Sequence, residues 1–126
     1  MDNQTIVGMI VMGLCTFGCG FLFWGIAEFG KNSSKPMNFW AGEVIDPKTV
    51  SDIAAYNLEC ATMWRRYSAW YFLSGVLSCF NLLHEGFLYA AVVVLIFAGT
   101  VGIWLLIREY RRIEEGYIAK PGGLDR

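Results

Sequence analysis

Charge is what this chain has least of. Asp, Glu, Lys and Arg make up 17% of its 126 residues, where a soluble domain carries about 25%. So sparse a charge, with a net value of −1, excludes a disordered chain and a basic nucleic-acid-binding arm. Lys and Arg are missing altogether before Lys31 and between Arg66 and Arg108. Without a basic segment ahead of the first apolar run, and without a small-residue cleavage motif after it, that run reads as a retained helix rather than a cleaved signal. There is one histidine, His84. The sequence offers no nucleophile–base constellation, no P-loop and no zinc-protease motif. The expectation is therefore a protein that is not an enzyme, with no catalytic residues, no cofactor and no metal.

Apolar residues are what the chain has most of. They make up 56%, with aromatics at 16%, and the mean hydropathy is +0.43. Both values count against an ordinary soluble enzyme and point to a small integral membrane protein. Three apolar runs stand out, at residues 5–29, 67–83 and 87–107. The first would reach roughly 37 Å as a helix and the third roughly 32 Å, against about 30 Å of bilayer hydrocarbon. The second run is shorter and contains Ser68, Ser74, Ser78 and Asn81. The fold expected is an all-α bundle of three transmembrane helices forming a single membrane domain, residues 1–126. A loop at 30–66, containing an amphipathic helix, joins the first two spans. A tail at 108–126 continues the third helix into water.

Charge distribution sets the orientation. All ten Lys and Arg residues fall in that loop or that tail. The positive-inside rule then places the N-terminus outside and the loop and C-terminus in the cytoplasm. Trp24, Trp40, Trp64, Trp70 and Trp104 fall on the inner side and read as an interfacial belt. Glu28, at the inner end of the first span, is positioned to pair with Arg65, Arg66 or Arg108. Arg108, Arg111 and Arg112 read as a solvated flank or as contacts for anionic lipid.

The loop carries two successive helix-start signals, Asp46-Pro47 and Ser51-Asp52. Ile53, Tyr56, Cys60, Met63, Trp64 and Tyr67 then recur at helical spacing. That apolar stripe predicts a helix docked at the cytoplasmic ends of the spans, on a floor of Trp24, Trp70 and Trp104. Phe39, Trp40, Gly42, Asp46, Asp52, Tyr56 and Asn57 are the candidate partner-binding residues.

In the second run, Tyr67, Tyr71, Ser74, Ser78 and Asn81 fall on one helical face. Polar side chains at membrane depth avoid lipid, so this stripe is either interhelical hydrogen bonding or one wall of a ligand or ion path. The first run is dense in glycine, and Thr16 and Gly20 form a small-xxx-small pair. This suits packing within the bundle or a homo-oligomer contact. Cys15, Cys19, Cys60 and Cys79 do not make a secreted disulfide framework. They read as small packing residues, with a soft-metal site as the alternative. His84-Glu85 reads as an exposed turn, with a pH sensor as the alternative.

The segment 38–57, with Asn38-Phe39-Trp40-Ala41-Gly42-Glu43 and Asp46-Pro47-Lys48-Thr49, is followed by Met63-Trp64. It resembles a recurring loop in small uncharacterised membrane proteins of Gram-positive bacteria. The layout of a span, a cytoplasmic loop with a Gly and a Trp, and further spans is remotely similar to SdpI-type immunity proteins. That resemblance implies protection from a membrane-active toxin and signalling to a regulator, and supplies no catalytic residues. The leading functional class is thus a non-enzymatic membrane interaction protein of immunity or envelope-stress type, with the lipid bilayer, a protein partner and a second copy as candidate partners. The alternative is an oligomeric small-solute transporter or channel component lined by the second span.

Overall fold

A computed structural model describes residues 2–38 and 45–118. Among them the chain is all-helical, built on three long helices: α1 (Asn3–Gly30), α2 (Ile53–Phe80) and α3 (Phe87–Tyr117). α1 and α3 are each long and apolar enough to cross a membrane. α2 has 28 residues, as α1 does, about 42 Å of helix, but it is far more polar. It packs along both of the other helices and contributes most of the buried side chains.

Local chemistry sets the helix starts. Asp2 has extended backbone, and its carboxylate accepts from the Thr5 amide at 2.7 Å, opening α1. Of the two start signals in the loop, Asp46-Pro47 opens only a 3₁₀ turn, Pro47–Thr49, with Asp46 Oδ1 accepting from Lys48 N at 3.0 Å. Asp52 opens α2 by accepting from Ala55 N at 3.0 Å. The amphipathic helix and the second apolar run are therefore one continuous helix, which begins at Ile53 and stops at Phe80 rather than at residue 83. α3 follows after a short turn. Its N-cap, Gly86, has no side chain to offer. Asn81 replaces it from the end of α2, accepting from the Leu88 amide at 3.1 Å.

Small residues set how closely the helices approach. α1 buries Thr16, Gly20 and Ala27. A Cβ on Gly75 of α2 would lie 2.9 Å from both the Phe17 ring and Thr16 Oγ1, and one on Gly20 would lie 3.0 Å from the Phe72 ring. The Thr16/Gly20 pair is thus spent on packing inside the bundle. Gly13, Gly18 and Gly25 face open space.

α3 is interrupted by a π-turn, Ala98–Gly102, and helical geometry explains its place. Ala91 and Ala98 are fully buried against α2, and Leu106, Tyr110 and Ile113 are buried farther along. On an unbroken helix at about 100° per residue, the second group would come round roughly 80° away from the first. A π-turn accommodates one extra residue, about 100° of rotation, and so returns the second group to the face that meets α2. The Tyr67 hydroxyl donates to the Ala98 carbonyl at 3.1 Å, and Gly102 lies against the same ring.

The last turns of α3 do not simply run into water. Leu106, Tyr110 and Ile113 join Tyr56, Cys60, Met63 and Trp64 of α2 in one core cluster. Past the helix, Val50 and Ile118 form an antiparallel bridge, and Ser51 N donates to Tyr117 O at 2.9 Å. The tryptophans divide. Trp64 is buried, whereas Trp24, Trp70 and Trp104 are 43%, 38% and 58% exposed. Trp24 and Trp104 sit on the outer surface of the bundle, and Trp70, itself part-exposed, packs against Phe97 with ring centroids 5.1 Å apart. None of the three is the expected floor. That floor is Phe23, stacked on Trp64 at 5.5 Å and 15°, together with Ala27, Leu106, Tyr110 and Ile113.

Candidate functional site

The polar stripe of α2 lies wholly inside the bundle. Tyr67, Tyr71, Ser74, Ser78 and Asn81 are all buried. Ser74 Oγ donates to Ala91 O of α3 at 2.7 Å. The Tyr67 and Tyr71 hydroxyls are 2.8 Å apart, and Tyr67 also reaches Ala98 O. Ser78 Oγ donates back to Gly75 O at 2.7 Å, and Asn81 caps α3. Tyr67 and Ser74 are seven residues apart, and their partners Ala98 and Ala91 are seven apart in the opposite direction, with Asn81 meeting Leu88 farther along. This is the register of two antiparallel helices packed at a shallow angle. No buried side-chain nitrogen or oxygen among the described residues lacks a hydrogen-bond partner. With every such group paired, a helix this polar can sit at the centre of the bundle without leaving a buried donor or acceptor unsatisfied.

A second cluster lies beyond the apolar part of α2. Asn57 is fully buried. Its Oδ1 accepts from the Met37 amide at 2.8 Å, and its Nδ2 donates to Ser33 O at 3.1 Å and Lys35 O at 2.9 Å. One amide side chain thereby holds the exit from α1 against α2. Beside it the Tyr56 hydroxyl donates to Met37 O at 3.0 Å and lies 3.0 Å from the Tyr110 hydroxyl. Tyr117 packs edge-on against the Tyr56 ring. Burial, with the Tyr110 contact second, raises the Tyr56 phenol above its ordinary pKa. Burial likewise pushes the Cys60 thiol up to about 12, so Cys60 is a neutral packing group at physiological pH.

Of the candidate partner-binding residues, Asp46 and Asp52 lie on the surface. Their carboxylates cap the 3₁₀ turn and α2. Tyr56 and Asn57 have no exposed surface; both hold the loop in place from inside. Phe39, Trp40 and Gly42 lie outside the described residues, as do Lys120 and Pro121-Gly122-Gly123. Tyr110, Tyr117 and Phe23 were not singled out from the sequence. The signal for the α3 pair was present, since Leu106, Tyr110, Ile113 and Tyr117 follow one another at steps of four, three and four. The charged residues around them made that stretch read as solvated.

Between the two clusters runs a girdle of ion pairs. Glu28 of α1 meets Lys31 at 2.6 Å and Arg65 of α2 at 2.8 Å. Arg66, the next residue, meets Glu109 of α3 at 2.9 Å, and Arg112 approaches the same carboxylate at 3.8 Å. Adjacent arginines on α2 thus bind its two neighbours at one level. Exposed pairs of this kind add little stability each. Their level marks where the apolar surfaces of α1 and α3 give way to charge.

At the other end, His84 Nδ1 accepts from Gly86 N at 3.1 Å, within an exposed turn. Cys15 and Cys79 are exposed, Cys19 partly so and Cys60 buried. No cluster of three or more His, Cys, Asp or Glu able to hold a metal occurs among the described residues. No family model, curated protein or solved structure matches this chain.

Proposed function

We propose that this chain is a three-span integral membrane protein that acts by interaction, of the immunity or envelope-stress kind that its layout resembles. The N-terminus is outside and the loop and C-terminus are cytoplasmic. α1, the distal part of α2 and the apolar part of α3 cross the bilayer, with the Glu28–Arg65 and Arg66–Glu109 pairs at the inner boundary. The first turns of α2, the clamp on residues 33–37 and the end of α3 form a compact cytoplasmic cap. The observation that carries this reading is how the α2 stripe is used. Its hydroxyls and amide are engaged with α2 and α3 backbone or with each other. That favours a packing seam over the wall of a solute path. The exposed carboxylates of Asp46 and Asp52 mark the face of the cap from which a partner would be met.

The test uses single cysteines in a cysteine-free background and an impermeant thiol reagent on intact cells. A cysteine at Asn3 labels from outside, and one at Lys48 labels only after permeabilisation. A photo-crosslinker at Asp46 or Asp52 then joins the protein to a discrete cellular partner. Labelling of Lys48 from outside would overturn the topology. Solute flux through reconstituted protein that changes with Ser74→Ala and Ser78→Ala would overturn the interaction reading in favour of transport.

A further inference from the structure

The girdle holds four of the eight cations among the described residues; of the other four, Lys35 and Lys48 lie in the loop, and Arg108 and Arg111 lie on α3 at the level of the girdle itself. Lys31 and Arg65 are held by Glu28, and Arg66 and Arg112 by Glu109. Arg108 and Arg111, one turn apart on the outer face of α3, pair with no carboxylate among the described residues. Arg108 instead lies over the indole of Trp104, 5.4 Å from the ring centroid, an arrangement that holds a guanidinium in place while leaving its N–H donors free. Glu115 follows one turn beyond Arg111 on the same face, farther from the apolar part of the helix. On the other side of Trp104 the exposed surface is mostly apolar, with Ile96, Val101 and Ile103, and the exposed Thr100 hydroxyl donates to the Ile96 carbonyl at 2.7 Å. A pair of cations, one of them held over an indole, thus caps a largely apolar track on the outside of a helix, at the level where the ion pairs begin.

We infer that Trp104, Arg108 and Arg111 form a headgroup site for an anionic phospholipid of the inner leaflet. The phosphate is held by the two guanidinium groups, and an acyl chain lies along Val101 and Ile96. The inference rests on the membrane reading above. Its chemistry follows from charge complementarity. A phosphodiester with a neutral headgroup offers the arginines no net charge. An anionic lipid does, and each basic residue near an anionic surface favours it about fivefold, or roughly 25-fold for the pair. Trp104 supplies the amphipathic ring that such a depth favours.

The experiment is native mass spectrometry of the full chain released from nanodiscs of phosphatidylcholine and phosphatidylglycerol, at low ionic strength. The wild-type protein retains phosphatidylglycerol in large excess over its share of the bilayer. The Arg108→Gln/Arg111→Gln double variant loses about tenfold or more of that preference. The charge-matched Lys35→Gln/Lys48→Gln variant keeps it. As a second readout, brominated phosphatidylglycerol quenches the tryptophan emission that Trp104→Phe removes, and brominated phosphatidylcholine quenches it less. Equal lipid preference in wild type and the arginine variant would overturn the site and assign the arginines to an acidic protein segment instead. Equal loss in the lysine control would reduce the effect to bulk charge and overturn it too. Failure of the wild type to enter nanodiscs at all would refute the membrane reading itself, and is seen before any lipid is counted.

Discussion

Asn57→Asp separates a clamp from a packing residue with a single change of atom. The substitution keeps size and shape, and Oδ1 still accepts from Met37 N–H. It replaces the Nδ2 donor, now 3.1 Å from Ser33 O and 2.9 Å from Lys35 O, with an oxygen facing two carbonyls. Two neutral hydrogen bonds, each worth about 0.5–1.5 kcal/mol, are lost, and a buried carboxylate is left facing two acceptors. Together these cost roughly 2–4 kcal/mol at pH 7. Asn57→Ala costs about 1–3 kcal/mol, mostly through the Met37 amide, since Ser33 and Lys35 are exposed and water can reach their carbonyls. The pH dependence is the diagnostic part. Burial among acceptors raises the new carboxyl above its unfolded value of about 3.9. Between the two values the folded state binds more protons, so stability rises as pH falls. Once protonated, the carboxyl can donate to one of the carbonyls. The assay is an SDS titration in mixed micelles at pH 7.5 and pH 5, followed by near-ultraviolet circular dichroism, which reports the Phe23, Trp64 and tyrosine cluster. The Asp variant should be the least stable of the three proteins at pH 7.5 and should recover part of the deficit at pH 5, whereas the Ala variant should show the same deficit at both. An Asp variant as stable as wild type at pH 7.5, or a deficit that does not move with pH, would refute the clamp.

Two further outcomes follow from the helix packing. Gly75→Ala drives a methyl group to within 2.9 Å of Phe17 and Thr16 and should destabilise the bundle by roughly 1–3 kcal/mol, less whatever helix propensity returns. Gly18→Ala enters open space and should be neutral or gain up to about 1 kcal/mol; thermal melts ranking the two the other way would mean that α1 and α2 do not meet at Gly75. Deletion of Gly99, which has nothing within 4 Å of where a Cβ would stand, should convert the π-turn to regular helix while Ala91 and Tyr110 keep facing α2. Deletion of Leu73, in a helix with no turn to absorb it, should abolish the monodisperse species in size-exclusion chromatography. Equal damage from both deletions would dispose of the register argument.

Much of this protein is written in properties that need only neighbouring residues. Apolar length marks α1 and α3 because the hydropathy of a helix is a sum over its own side chains. Asp2 and Asp52 mark helix starts because a cap reaches only the next turn. The seven-residue recurrence of Tyr67, Ser74 and Asn81 marks one face because a helix has a fixed pitch. The pairing of Glu28 with Arg65 was also within reach, since few charges compete at that end. That the amphipathic helix leads into the second run was legible in its spacing; the tertiary structure decided what covers its apolar side. Phe23, Tyr110 and Ile113 cover it, from α1 and from the end of α3. The tertiary structure also decided that Asn57, which in sequence looks like a surface contact, is a buried clamp whose partners lie twenty or more residues away. It decided that the charged end of α3 hides Tyr110. The π-turn belongs to the same class. No residue in Ala98–Gly102 requires it; it exists because two stretches of α3 must both face α2, and that demand arises only when the helices meet.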